Sequence, residues 1–187
     1  MIPLLAVAQD IQGFMESRSW RFCFIGGIAV ARWGEPRVTF DVDLTLFTGF
    51  SEEGPYIDEI LEAYKARRDD AAEFALSRRV LLVSGNEIGI VISLGAIPFE
   101  DSAVARASYH SFTPDISLKT CSAEDLIVFK AFADRSKDWG DIESVVTRQS
   151  NLEWDYIFEQ LEPLVDLKEE PEILDRLKSV KKKFYRP

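Results

Sequence analysis

Hydrophobic and polar residues alternate along the first part of the chain with a period that changes several times between helix and strand. Apolar residues recur at helical spacing over 4–15, which predicts an amphipathic first helix. The aromatic run 20–26 predicts a strand that ends in glycine, and a short helix over 27–34 follows it. Strict alternation over 36–47 predicts a second strand. The apolar face of that strand would consist of Val38, Phe40, Val42, Leu44 and Leu46.

The same patterns predict further mixed elements up to residue 120 and helices alone beyond it. A helix over 51–76 would open with Ser51 as its N-cap. Two β-rich runs within 78–95 predict a hairpin, and a short helix over 98–107 follows them. The remaining predicted elements are a strand over 109–120 and helices over 122–135, 138–149, 152–163 and 171–183.

This order of elements predicts an α/β (α+β) protein in two parts. Residues 1–120 would form a mixed sheet flanked by helices, and residues 121–187 would form a helical segment packed on that core. No glycine-, serine- or proline-rich linker separates the two parts, which favours a packed segment over a detached domain. With 187 residues, 47% of them hydrophobic, the chain is long enough to bury a sizeable core.

The formal net charge of −10 narrows the choice of partners. Proteins that coat nucleic-acid duplexes or membrane surfaces need a large positive face, so both roles are disfavoured. A local basic run over 178–186 is the best candidate for contact with an RNA acceptor such as tRNA.

The two cysteines and the N-terminal stretch favour a cytoplasmic location. Cys23 and Cys121 have no second pair that would suggest a disulfide framework, so we expect reduced thiols in a cytoplasmic protein. The N-terminal apolar stretch has no basic start and is interrupted early by Gln9 and Asp10. We therefore expect neither a signal peptide nor a membrane span there.

Two motifs between residues 24 and 47 carry the candidate chemistry. Gly26 and Gly27 join a strand to a helix, where backbone N–H groups can approach an anion closely. Such a pair is also typical of a plain tight turn. Asp41 and Asp43 share a strand face, so their carboxylates lie roughly 6 to 7 Å apart, and oxygens presented in this way suit Mg²⁺ together with substrate phosphates. The two motifs together predict a metal and nucleotide site.

The spacing of these motifs resembles a known family. "IGG" followed by thirteen residues and then "DVD" resembles the signature of the nucleotidyltransferase superfamily, which has the polymerase-beta-like fold. The segments "RWGEPRVTFDVDL", "LGAIPFEDSAVARA", "TCSAEDLIVFKAFADRSKDWGDIESV" and "LEWDYIFEQLEPL" are similar to small bacterial nucleotidyltransferase-like proteins. These are related to the AbiEii-type toxin component of toxin–antitoxin and phage-defence systems. The resemblance extends over residues 20–165.

The resemblance implies roles for the two motifs. Gly26 and Gly27 would cradle the triphosphate of an NTP, and Asp41 and Asp43 would hold Mg²⁺ or Mn²⁺.

It also implies roles for residues outside the motifs. Arg37 and Thr39, which the alternation places on the strand face of the aspartates, would contact phosphate or line the site; a solvated strand face is the alternative. Lys130 would reach the nucleotide phosphates. Asp138 and Asp141 share a helix face at i, i+3. They could orient Lys130, Asp141 could act as a base on the incoming hydroxyl, or both could be plain acids of a first helical turn.

The sequence departs from the family pattern at one position. Many members of the superfamily have a third carboxylate on a later strand, where it helps to bind a second metal and can take a proton from the acceptor. The matching position is Val91, and no acid lies between Glu87 and Glu100. Two metals hold the attacking and leaving oxygens, so this loss should weaken the metal nearer the attacking hydroxyl. Nucleotide binding would then persist while transfer is slow, absent or dependent on another base, such as Asp141.

Three functional hypotheses follow. The favoured one is a metal-dependent nucleotidyltransferase that passes an NMP from an NTP to a hydroxyl of RNA or protein, as part of a toxin–antitoxin or phage-defence system with a partner protein from a neighbouring gene. The second is a catalytically weakened or inactive nucleotide-binding, regulatory module of the same fold. The third is a small-molecule (antibiotic) nucleotidyltransferase, whose cationic substrates an acidic cleft would attract.

Overall fold

A computed structural model describes residues 2–185, and nine helices and one seven-stranded sheet lie within that range. The helices are α1 (Ile2–Ser17), α2 (Gly26–Trp33), α3 (Glu53–Ala63), α4 (Ala71–Arg78), α5 (Pro98–Arg106), α6 (Ala123–Ala133), α7 (Ser136–Arg148), α8 (Trp154–Lys168) and α9 (Glu172–Phe184). The strands are β1 (Phe22–Phe24), β2 (Asp41–Phe47), β3 (Lys65–Ala66), β4 (Val80–Gly85), β5 (Ile88–Gly95), β6 (Ser108–Thr113) and β7 (Ile116–Thr120).

The described range leaves out both chain ends. Residues 1, 186 and 187 lie outside it. The predicted basic run 178–186 therefore lies outside the described residues at its last position, and the predicted two-part division does so at both ends. Every helix between residues 2 and 185 is too short or too polar to cross a bilayer.

The chain divides into two compact units. The first contains the residues up to 28 and residues 38–121, and the second contains residues 29–37 and those from 122 onward. All seven strands belong to the first unit.

The sheet of the first unit is mixed, with the strand order β3-β4-β5-β2-β1-β7-β6. Its centre is β2, which runs parallel to β5 and antiparallel to β1. The register between β2 and β5 pairs Asp41 with Gly89 and Asp43 with Val91. The mixed sheet with flanking helices confirms the predicted fold class.

One face of β2 packs in the hydrophobic core of this unit. Val42, Leu44 and Leu46 are completely buried, and they belong to one apolar cluster with residues of α1 and α3 such as Ile11 and Ile57. Because strand side chains alternate, the residues between them project from the opposite side of the sheet. The acidic pair of β2 therefore lies on the face away from this core.

The predicted start of the second strand was wrong. The strand begins at Asp41, and Val38 and Phe40, which were expected on its buried face, are 73% and 81% exposed. The pairing explains why. The register of β2 with β5 starts at Asp41 opposite Gly89, and β1 pairs only with residues 44–46, so the chain before Asp41 has no neighbouring strand.

The predicted long helix over 51–76 was also wrong, because the chain breaks it into two. Helix α3 ends at Ala63, the two residues of β3 add to the sheet edge beside β4, and α4 begins at Ala71. The N-cap of α3 is Glu52 and not Ser51, which has a left-handed φ of 65°.

The two segments predicted as β structure after α4 fold as hairpins. The β4–β5 hairpin was predicted, and Asn86 and Glu87 at its turn have φ values of 48° and 64°. Two successive left-handed residues match the twist of two-residue hairpins. The single strand predicted over 109–120 is instead the β6–β7 hairpin, interrupted at Pro114 and Asp115.

The second unit consists of α6 to α9 and the segment 29–37. Helix α6 is capped by Ser122, whose Oγ accepts a hydrogen bond of 3.1 Å from the Asp125 backbone N–H. The segment 29–37 is held along the end of α7, where Arg148 pairs with Glu35 at 2.8 Å and the Gln149 side chain donates to the Trp33 carbonyl at 2.7 Å.

Candidate functional site

Asp41 and Asp43 lie at the beginning of β2 on the sheet face opposite the core. Both are half-buried, and they alternate with the completely buried Val42 and Leu44. Their side chains therefore point to the same side of the sheet, as the sequence predicts. Two carboxylates that share one face repel each other unless a cation lies between them.

The Gly26-Gly27 turn lies against this pair within the first unit. Gly26 has a left-handed φ of 57°, and a Cβ placed on it would lie 2.7 Å from Cγ of Asp43. A Cβ on Gly27 would lie 2.6 Å from Oγ1 of Thr39. The backbone N–H of Ile25 donates to the Asp43 carbonyl at 3.0 Å, which fixes the turn beside the strand. Both glycines are therefore required by close contacts and not merely by a turn.

The donor set fits a divalent cation. Carboxylate oxygens are the ligands that Mg²⁺ prefers, and the missing Cβ of Gly26 leaves a cradle beside the Asp43 carboxylate at the N-terminus of α2. Among residues 2–185, no group of three or more His, Cys, Asp or Glu side chains is arranged to hold an ion. The site thus offers two carboxylates, Asp41 and Asp43, and leaves the other positions of an ion to phosphate oxygens and water.

The neighbouring strand β5 supplies no acid to this face. Gly89 lies opposite Asp41 and Val91 lies opposite Asp43, so the position that the resemblance predicts for a third carboxylate is directly beside the pair. Registered residues of parallel strands project to the same side. Val91 therefore presents an apolar side chain beside Asp43 on this face.

A pocket of about 550 Å³ opens at the end of the sheet next to Asp41. Phe40, which is highly exposed, and Arg67 line it together with Asp41. Nη1 of Arg67 lies 3.4 Å from Oδ1 of Asp41. The remaining lining residues are Ser84, Glu87, Ile88 and Gly89.

Lys130 lies in a network of buried charges in the second unit. Its Nζ donates to Oδ1 of Asp138 and Oδ2 of Asp141, both at 2.7 Å. Arg37 binds the two oxygens of Asp141 with bonds of 2.7 and 2.8 Å, and Arg135 binds Asp138 at 2.5 Å. Asp138 and Asp141 thus both accept from Lys130, and the three alternatives for their roles stay predictions.

The network keeps both acids ionised. Burial alone would raise the pKa of Asp141, but the hydrogen bonds from Arg37 and Lys130 outweigh it and lower that pKa below its ordinary value. The pKa of Asp138 is lowered in the same way, with burial opposed by Arg135 and Lys130. At neutral pH each carboxylate is an acceptor shared between two cations.

The structure thus separates the predicted site residues into two groups. Gly26, Gly27, Thr39 and the two aspartates meet in the first unit, where the Thr39 hydroxyl also donates to the Asp41 carbonyl at 3.3 Å. The prediction that Arg37 and Thr39 share the strand face of the aspartates was wrong, because the strand begins only at Asp41 and both residues precede it. Thr39 reaches the site through its contact with Gly27, whereas Arg37 belongs with Asp141 and Lys130 in the second unit.

Sequence reasoning missed Arg67 and Phe40. Arg67 stands in the short basic stretch "KARR" at 65–68, and its contact with Asp41 depends on β3, which interrupts a helix that the periodicity predicts. Phe40 was assigned to the core because its spacing continues that of β2.

Comparison with known proteins identifies the fold. No protein-family model and no curated protein matches the sequence. The crystal structure of an antigenic nucleotidyltransferase-like protein from Paracoccidioides brasiliensis is similar over 94% of this chain and 92% of that chain, with a TM-score of 0.51 and 16% identity.

Two antibiotic-modifying proteins are similar as well. The lincomycin-bound lincosamide antibiotic adenylyltransferase LnuA covers 74% of this chain and 94% of its own length, with a TM-score of 0.51 and 14% identity. The protein ANT(2")-Ia in complex with adenylyl-2"-tobramycin covers 89% of this chain and 96% of its own length, with a TM-score of 0.51 and 16% identity. Identities this low show the fold alone, and the fold of this chain is that of the nucleotidyltransferases.

Proposed function

We propose that this protein is a metal-dependent nucleotidyltransferase, which transfers the NMP of an NTP to an acceptor hydroxyl and releases pyrophosphate. One observation carries the proposal. Within a nucleotidyltransferase fold, the left-handed Gly26 at the start of α2 lies against the carboxylate of Asp43, whose strand neighbour on the same face is Asp41.

Each candidate site residue of the first unit is assigned a part in the proposed reaction. Asp41 and Asp43 would hold Mg²⁺ or Mn²⁺, which supplies charge neutralisation at the phosphates when bound. The backbone at Gly26 and Gly27 would bind phosphate oxygens, helped by the positive end of the α2 dipole. Thr39 holds the segment that leads into Asp41, because its hydroxyl donates to the Asp41 carbonyl. The rate would come from positioning and from electrostatic stabilisation of the transferring group.

The roles of the second unit rest on the resemblance to small nucleotidyltransferase-like proteins. Lys130 is proposed as a phosphate ligand, and two of its three N–H donors are engaged by Asp138 and Asp141. Arg37, which holds Asp141, is proposed to bind phosphate as well, since its side chain is 36% exposed. Asp141 could serve as a base only after its ion pair with Arg37 or with Lys130 is broken.

The acceptor is proposed to be a hydroxyl of a small molecule or of a macromolecule. The small-molecule alternative has support in the fold neighbours, one of which is bound to lincomycin and another to adenylyl-2"-tobramycin. The net charge of −10 favours a cationic acceptor. Transfer to RNA or protein within a toxin–antitoxin or phage-defence pair is the other proposal, and the basic residues of α9 would contact the RNA.

A second candidate function is a nucleotide-binding, regulatory module without turnover. Val91 favours it, because the position directly beside Asp43 lacks the acid that would complete a second metal site. The two candidates share the nucleotide site and differ only in transfer.

The test measures binding and transfer in turn. Isothermal titration of ATP, GTP, CTP and UTP with Mg²⁺ should show metal-dependent binding to the wild type. Asp41→Asn and Asp43→Asn should each weaken it at least about tenfold, because a charge-assisted metal contact is lost. Asp58→Asn removes the same charge from an exposed position of α3 and is the matched control.

Labelled NTPs incubated with tRNA, partner proteins or aminoglycosides then identify the acceptor. Binding without transfer to any acceptor would establish the regulatory module. The absence of metal-dependent binding by the wild type would overturn both candidates.

A further inference from the structure

Arg67 contacts the first aspartate of the acidic pair, and the transfer reaction proposed above gives it no role. Its Nη1 lies 3.4 Å from Oδ1 of Asp41, and the two side chains are 40% and 44% exposed. Arg67 directly follows β3 and Asp41 begins β2, and the strands β4 and β5 lie between these two strands in the sheet. The contact therefore results from the tertiary fold and not from neighbouring positions in the chain.

Two features of the sheet bring Arg67 to this position. Its backbone N–H donates to the Leu82 carbonyl at 3.1 Å, which continues the β3–β4 ladder by one residue. Gly89 lies opposite Asp41 on β5, and a Cβ there would lie 2.5 Å from Nη1 of Arg67 and would overlap the Asp41 carboxylate. Only glycine at this position leaves room for the guanidinium to lie on Asp41.

The contact is suited to exchange and not to stability. An ion pair between two side chains as exposed as these contributes little to stability, because water screens it and holding both side chains in one geometry costs entropy. Its long distance of 3.4 Å also indicates a weak hydrogen bond. The guanidinium can therefore leave Asp41 at little cost when a stronger cation arrives.

The guanidinium of Arg67 is also suited to bind the nucleotide phosphates that accompany such a cation. A planar guanidinium binds two phosphate oxygens at once and is less strongly hydrated than an ammonium. Arg67 lines the 550 Å³ pocket beside Asp41, which is large enough for part of a nucleotide. Phosphates that approach a cation on Asp41 and Asp43 would lie within reach of the displaced guanidinium.

We propose that Arg67 is a nucleotide-phosphate ligand that is held on Asp41 until a divalent cation takes its place. The proposal rests on the nucleotidyltransferase function proposed above. In the protein without nucleotide, Arg67 competes with the cation for Asp41. Once the metal and nucleotide are bound, Arg67 binds the phosphates and adds to their affinity.

This double role gives two effects of opposite sign in one variant. Arg67→Gln should bind Mn²⁺ alone about two- to fivefold more tightly, because a competing ion pair of about 0.4 to 1 kcal/mol is gone. The same variant should bind a non-hydrolysable NTP in saturating Mn²⁺ about tenfold more weakly, because a charge-assisted hydrogen bond to phosphate is lost. A residue that only supports the fold would weaken both.

The experiment measures Mn²⁺ binding by electron paramagnetic resonance and nucleotide binding by calorimetry, with thermal unfolding to verify the fold. Arg67→Lys keeps the charge and should restore part of the nucleotide affinity. Arg68→Gln is the matched control, because it removes the same charge from the adjacent residue, whose partner is the nearby Asp70. It should leave both affinities unchanged.

Each result decides between the proposals. Effects of opposite sign in Arg67→Gln, with none in Arg68→Gln, establish the role of Arg67. Two unchanged affinities, or two that change in the same direction, overturn it while leaving the nucleotidyltransferase proposal in place. A wild-type protein that binds neither Mn²⁺ nor nucleotide overturns both.

Discussion

At the residue scale, the candidate site depends on which glycines are enclosed by neighbouring side chains. Gly26 combines a left-handed φ of 57° with direct contact to the Asp43 carboxylate. Gly13, in α1, has nothing within 4 Å of the position of a Cβ. The same substitution should therefore act in opposite directions at these two positions.

Gly26→Ala should abolish most metal-dependent nucleotide binding and lower stability. A side chain in the left-handed region costs about 1 to 2 kcal/mol, and its Cβ would push the Asp43 carboxylate out of position. Gly13→Ala should instead stabilise α1 by about 0.5 to 1 kcal/mol and leave binding unchanged. Nucleotide calorimetry and urea unfolding measure the two quantities. Normal binding by Gly26→Ala would contradict the placement of the site at this turn.

The residue scale also shows what the sequence could and could not reveal. The proximity of the glycine pair to the aspartates could be predicted, because a strand, a tight turn and a returning strand bring the two motifs together within about twenty residues. The contact of Arg67 with Asp41 could not, because it needs the register of β4 and β5 and the absence of a side chain at Gly89.

At the scale of elements, periodicity located most helices and strands but failed at their junctions. The alternation of β2 continues through Val38 and Phe40, although no strand lies beside them to pair with. Residues 38–40 still belong to the first unit, and only residues 29–37 belong to the helical unit. Local pattern contains no information about where neighbouring strands begin, so such ends cannot be predicted from periodicity.

The charge network between α6 and α7 also belongs to the scale of elements, because it links side chains of two helices. Lys130 and Asp141 are almost completely buried, and each is bound to more than one partner of opposite charge. Removing one member leaves a buried charge with fewer partners, which is costly.

Asp141→Asn should lower the free energy of unfolding by about 3 kcal/mol at pH 7. The pKa of Asp141 is lowered in the folded protein, so its stabilisation is present above the unfolded value of about 3.9. It is lost as the pH falls through the lower, folded pKa. Denaturant unfolding between pH 2 and 7 should therefore show the variant approaching the wild type only below about pH 4.

Asp175→Asn is the control for this experiment. Asp175 is 82% exposed in its pair with Lys178, so its loss should cost less than about 0.5 kcal/mol at any pH. A difference between Asp141→Asn and the wild type that did not depend on pH would show that packing, and not the ionised carboxylate, stabilises the network.

At the scale of the whole molecule, the net charge of −10 acts on every partner that approaches. It repels a nucleotide, which is itself anionic, so the proposed nucleotide binding would depend on local positive groups and on a divalent cation. It attracts a cationic acceptor over a range set by the Debye length. The affinities of the two proposed substrates should therefore respond differently to salt.

A cationic acceptor should lose affinity as salt rises. Between 0.1 M and 1 M NaCl the Debye length falls from about 10 Å to about 3 Å, so the long-range attraction by the acidic protein is largely screened. Calorimetric titration of a polyamino sugar at both concentrations should show a decrease of several-fold. The N-acetylated form of the same sugar has the same ring skeleton without the positive charges, and its binding should change little. Equal salt dependence of the two forms would show that the net charge does not select the acceptor.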